Sequence, residues 1–70
     1  MNKVFSKNLR KLRQGKRMTQ EYVAERLGVS AQAVSRWETG ATFPDITLLP
    51  EIARLYEVLV DDLFKEDLQE

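Results

Sequence analysis

The residues best placed to do chemistry in this chain are hydrogen-bonding ones. Ala31, Gln32, Ser35 and Arg36, continuing to Thr39, fall on one face of a helix that the sequence predicts from just after Ser30 to about Glu38. They are short or hydrogen-bonding, and none is acidic. A helix that exposes such a face fits the DNA major groove, where Gln and Arg side chains can hold a base edge through paired hydrogen bonds. Arg36 taken alone could be a solvated surface charge, but it shares a face with Gln32, which favours a base or phosphate contact. Other chemistries are poorly supplied. The chain has no Cys and no His, which removes disulfides, thiol nucleophiles, imidazole bases and Cys/His metal sites together. Asp61 and Asp62 are adjacent, so on a helix they point about 100° apart, and no nucleophile or metal set accompanies them. They read as first-turn acids of a final helix. Ser30 and Ser35 have no evident general base. The expectation is therefore no enzyme, no metal, no cofactor and no small-molecule ligand.

These side chains must be positioned by a small molecule. Seventy residues predict one domain, 1–70, with a core over about 5–64. A chain this short buries only about 60% of its unfolded surface, so the core is modest. With 43% hydrophobic and 31% charged residues, the composition is that of a globular protein. No apolar run approaches the roughly 20 residues of a membrane span. The opening "MNKVFSKNLRKLRQ" has basic residues but no apolar core of a signal peptide, so the cytoplasm is the expected compartment. The net charge is zero but uneven. Residues 1–20 carry Lys3, Lys7, Arg10, Lys11, Arg13, Lys16 and Arg17 and no acid. Residues 57–70 carry Glu57, Asp61, Asp62, Glu66, Asp67 and Glu70 against Lys65. The basic end either attracts a polyanion or is a solvated helix face.

Five helices are expected, giving an all-α fold. The first covers about 3–14, with Phe5, Leu9 and Leu12 on one stripe and Gly15 as its stop. The second starts at Thr19 as N-cap, with Glu21 in its first turn, and stops at Gly28. The third is capped by Ser30 and followed by Gly40. The fourth covers about 47–56, with Pro50 in its first turn where a missing N–H costs nothing. The fifth covers about 60–65 and offers Val60, Leu63 and Phe64 to the core.

Crossing two short helices over a tight turn needs a small residue at the crossing, a positive-φ residue in the turn and an apolar residue after it. Ala24, Gly28 and Val29 supply these. The inward face of the third helix is then Ala33, Val34 and Trp37. The segment resembles the helix-turn-helix of the phage repressor/Cro-type family, also called the XRE family. The resemblance lies in "TQ" (Thr19, Gln20), "VA" (Val23, Ala24), "LGVS" (Leu27 to Ser30), "VS" (Val34, Ser35) and "WETG" (Trp37 to Gly40). It extends to "LRKLR", "FPD", "LLPEIARLY" and "VDDLF" and covers about residues 5–64.

The resemblance implies a lambda repressor-like, five-helix regulator of transcription, of bacterial or phage origin. Such a protein acts as a repressor and binds double-stranded DNA as a homodimer with its third helix in the major groove. It implies base contacts from Ala31, Gln32, Ser35 and Arg36. Thr19 and Gln20 would hold a phosphate at a helix N-terminus, with Thr39 and Thr42 as further phosphate candidates. Arg13 would pair with Glu38 near the DNA backbone. Arg13, Ala24, Gly28, Val34, Trp37 and Glu38 would be the structural set. The chain also departs from the pattern. Arg17 stands where the family usually has Gly, so Lys16 and Arg17 are added as phosphate contacts. Tyr22 replaces a usually polar residue and either stacks near the DNA backbone or sits half-exposed. Glu57 and Leu59 replace the usual Gly and Ser, which changes the cap of the fifth helix. Val58 and Leu59 are the dimer candidates, with ordinary core packing the alternative for Val58. A protein-interaction or antitoxin-like module on the same fold is the competing functional reading.

Overall fold

The computed structural model describes residues 3–66. The two ends of the expected domain, including Asp67 and Glu70, lie outside the described residues. Four α-helices and two 3₁₀ helices follow one another: α1 (Lys3–Gly15), α2 (Gln20–Leu27), α3 (Ala31–Thr39), a 3₁₀ turn (Ile46–Leu48), α4 (Leu49–Tyr56) and a 3₁₀ helix (Val60–Phe64). No strand occurs among the described residues. The all-α expectation holds, with two corrections. The fifth element is a 3₁₀ helix. It has only five residues, a length at which the tighter i→i+3 pattern is common, and its N-cap Leu59 has no side-chain oxygen to offer a free N–H. Asp62 reaches back to accept the Leu59 N–H at 3.0 Å instead. α4 begins at Leu49 rather than 47, which puts Pro50 in its first turn, and residues 46–48 take the 3₁₀ form before it.

All four α-helices end in the same way. The residue after the last turn has positive φ, and the next N–H reaches back five residues. These bonds are Met18 to Arg13 (3.1 Å), Val29 to Ala24 (3.0 Å), Ala41 to Arg36 (2.9 Å) and Val58 to Ala53 (2.9 Å). Each bond satisfies a carbonyl that the helix end leaves open. The positive-φ residues are Gly28 and Gly40, as expected, but also Arg17 (φ 58°) and Glu57 (φ 60°). α1 ends at Gly15, within a residue of the expected stop, but the left-handed residue that closes it is Arg17.

The core takes Phe5 and Leu9 from α1, Val23 and Ala24 from α2, Val34 and Trp37 from α3, Leu49, Ile52, Ala53 and Tyr56 from α4, and Leu63. Leu12, Leu27, Ala33 and Val58 pack partly against it. Val58 is thus half-buried, whereas Leu59 is 69% exposed. The loop after α3 is pinned by Phe43, whose ring centroid lies 4.6 Å from that of Phe5, and by buried Pro44. The chain's two halves are tied by buried Asn8, which donates to the carbonyls of Leu63 (2.9 Å) and Lys65 (2.7 Å).

Candidate nucleic-acid interface

The interface is set by how α2 and α3 are held. Thr19 caps α2 by accepting the Tyr22 N–H (3.0 Å), and Ser30 caps α3 by accepting the Ala33 N–H (3.1 Å). Both caps satisfy N–H groups that the first turn cannot pair internally. Ala24 is buried at the meeting of the two helices, and Gly28 (φ 74°) makes the turn between them. Val34 and Trp37 then bury the inner side of α3. Its outer side keeps Gln32 and Arg36 exposed, with Ser35 and Ala31 half-buried beside them. Ala31 contributes part of its surface to the core. The side chains of Gln32, Ser35 and Arg36 make no hydrogen bond among the described residues, so their donors and acceptors are unspent.

Behind this face lies a polar clasp. Glu38 is buried, with its side chain 3% exposed, and faces Arg13, which is 14% exposed. Arg13 donates from Nε to Oε2 (2.7 Å) and from Nη2 to Oε1 (3.0 Å), a two-pronged pair. Its Nη1 donates to the Met18 carbonyl at 3.0 Å. Gln20 Nε2 adds a third bond to the carboxylate at 3.1 Å. The Glu38 hydrogen bond raises the Arg13 guanidinium above its ordinary range. Burial pushes the neighbouring Tyr56 phenol up, with the Glu38 charge adding to the effect. The clasp joins the C-terminal part of α1, the start of α2 and the end of α3. The carboxylate behind the outer face of α3 is thus matched from within the protein.

The phosphate candidates are unequally available. Thr19 accepts a backbone N–H and keeps its hydroxyl proton free. Gln20 has one amide N–H left after the clasp. Arg17 is exposed and forms no ion pair among the described residues. Lys16 is paired with Glu57 at 3.0 Å on the surface. Thr39 donates its hydroxyl to the Arg36 carbonyl (3.2 Å). Thr42 is exposed in the following loop. Arg13 has three of its five N–H groups committed. Tyr22 is half-exposed, with its hydroxyl accepting from Arg26 at 2.9 Å. Sequence reasoning missed the Gln20–Glu38 bond, the Asn8 tie and the Phe43 anchor. Asn8, a poor helix former in mid-helix, was a usable signal; the other two depend on distant contacts.

This geometry can be set beside known proteins. The family described as Helix-turn-helix matches residues 9–63. The chain belongs to the helix-turn-helix family of the phage repressor, or XRE, type. The HTH-type transcriptional activator BcrR of Enterococcus faecalis is 42% identical over 59 residues, covering 84% of this chain and 29% of its own length. The uncharacterized HTH-type transcriptional regulator YqaE of Bacillus subtilis (strain 168) is 36% identical over 67 residues, covering 96% of this chain and 58% of its own. The chain thus spans about a third to three-fifths of these relatives. Among solved structures, the P22 c2 repressor protein, crystallised with a synthetic operator, superposes with a TM-score of 0.83 at 27% identity over 90% of this chain and 96% of its own. In this helix-turn-helix chain, α2 and α3 are the motif. Among the described residues, no helix is long and apolar enough to cross a membrane.

Proposed function

We propose that the chain binds duplex DNA with sequence preference and serves in transcriptional regulation, with α3 in the major groove. The observation that carries this is the outer face of α3: Gln32 and Arg36 are exposed, close together on one side, and unspent in hydrogen bonding, while Val34, Trp37 and the Glu38 clasp fix the helix from behind. Ala31 and Ser35 complete the reading face, and Arg17, Thr19, Gln20 and Thr42 supply phosphate contacts that set the register. Lys16, Thr39 and Arg13 join them in a supporting role, because each is partly committed within the protein. The P22 c2 repressor, a close superposition, is in complex with an operator, which supports DNA binding by this chain.

The expected unit on DNA is a two-fold dimer, with half-sites about 34 Å apart. Its contact is built on Leu59, with Val58 beneath it closing the core. Repression is the expected outcome on an operator that overlaps a promoter; because BcrR, 42% identical, is a transcriptional activator, activation is the other sign to test. Selection of duplexes from a random pool with the purified chain tests the reading. Recovery of one two-fold sequence with half-sites one turn apart supports it. No binding to any duplex at low salt would favour the protein-interaction module instead.

A further inference from the structure

The cations of α1 are not absorbed by the site above. Lys3, Lys7, Arg10 and Lys11 share one side of the helix, and α1 carries no acid. None of the four is ion-paired among the described residues; the pairs there use Arg13, Lys16, Arg54 and Lys65. Helical spacing explains the grouping: positions 3, 7, 10 and 14 fall in one line, opposite Phe5 and Leu9. That line borders a depression between α1 and the C-terminal end of α3, where Thr39 forms the far wall. Arg10 also lines a second depression, which continues to Gln20 at the start of α2. The basic line therefore runs without a break into the phosphate contacts already assigned. The Glu38 carboxylate, which touches both depressions, is matched by Arg13. Glu66 lies on the other side of Lys7, away from Thr39.

A second observation comes from the floor. Ser6 is buried there, and its Oγ has no hydrogen-bond partner among the described residues. Gly40 lies beside it: a Cβ at Gly40 would come to 3.5 Å from that oxygen, an ordinary contact. A buried polar atom without a partner is costly, and here it sits under a row of unpaired cations.

We propose that this depression is a second phosphate-binding track, which takes the backbone of duplex DNA flanking the base pairs read by α3. The proposal rests on the DNA-reading function above. From Lys3 to Arg10 the helix rises about 10 Å, the axial run of about three phosphates of one strand. The contacts are charge contacts, so they lengthen the footprint without adding sequence preference.

The test compares the double variant Lys7→Gln/Arg10→Gln with Arg54→Gln/Lys65→Gln, which removes the same charge from other faces. All four residues are exposed, and melting temperatures establish that both variants fold. Binding is titrated against salt on a selected site carrying either two or eight flanking base pairs. On the long duplex, the α1 variant should lose about 1.8 from the salt slope, so that its affinity falls about tenfold less than wild type between 50 and 200 mM salt. The control variant should keep the wild-type slope, and trimming the flanks should abolish the difference between the α1 variant and wild type. Equal slopes for both variants, or a difference that survives trimming, would overturn the track while leaving the reading by α3 intact. A wild-type chain that binds neither duplex at low salt would overturn both.

Discussion

Glu38→Gln removes the negative half of the clasp without changing its shape. The carboxylate accepts three hydrogen bonds, two from Arg13 and one from Gln20. An amide oxygen can keep at most part of that set, and its NH₂ confronts donors that need acceptors. Removing one partner of a fully buried ion pair costs about 3–5 kcal/mol. Arg13 retains some solvent contact, with 14% of its side chain exposed, so water recovers part of the loss and about 2–3 kcal/mol is the expected cost. A domain of this size has a total stability of about 4–10 kcal/mol. The melting temperature should then fall by about 10–20 °C. Thermal unfolding followed by circular dichroism reads this directly. A cycle with Arg13→Met should show coupling, the double variant losing less than the sum of the single ones. A shift under about 3 °C, or strict additivity, would refute the reasoning. DNA affinity should fall with stability, because the same clasp holds the start of α2 against the end of α3.

Arg17→Gly should move stability and binding in opposite directions. It relieves a non-glycine residue at φ 58°, a net gain of about 0.5–1 kcal/mol after the extra freedom of glycine in the unfolded chain, while the salt slope for DNA falls by about 1; an unchanged or lower melting temperature would contradict the strain. Asn8→Ala leaves two carbonyls at the end of the chain without their donor and should cost about 1–3 kcal/mol, with faster amide exchange over residues 60–65 as the local signature. Asp62 is held below the usual carboxylate range by the Leu59 N–H and then by Lys65. Its contribution is present above its unfolded pKa of about 3.9 and is lost as pH falls through the lower folded value. Asp62→Asn should therefore narrow its stability gap to wild type below about pH 3, and a gap that stays constant across pH would rule the capping role out.

Much of this molecule could be read from residue types. Thr19 and Ser30 announced two helix starts, Gly28 and Gly40 two helix ends, and the alternation of Val34 and Trp37 with Gln32 and Arg36 divided α3 into inner and outer faces. Those are local signals with one cheap structural answer. The other two helix ends, near 14 and 56, are also legible to within a residue, but their left-handed caps are not, because Arg17 and Glu57 are not residues that favour that conformation. The exact start of α4 was misplaced by two residues, since Pro50 tolerates more than one position in a first turn. The last element reads as α-helical because Val60, Leu63 and Phe64 fit either period, and five residues are short enough for the 3₁₀ form. In the interface, the Arg13–Glu38 pair followed from family position, but the third member, Gln20, did not. The side of α1 that borders Thr39 was equally hidden. Charge spacing grouped its lysines, yet only the packing of α1 on α3 brings them to the edge of the outer face of α3.

The central claim is that the outer face of α3 reads base edges. It is tested most directly by the ratio of affinities for a selected site and for random duplex at one salt concentration, measured for the wild-type chain, Gln32→Ala and Arg36→Ala. Each lost base contact is worth about 1–3 kcal/mol of discrimination, so the ratio should fall by about 5- to 150-fold per variant, with little change in affinity for random duplex. If both variants keep the wild-type ratio while still binding DNA, α3 does not read the sequence and the account of this surface is wrong.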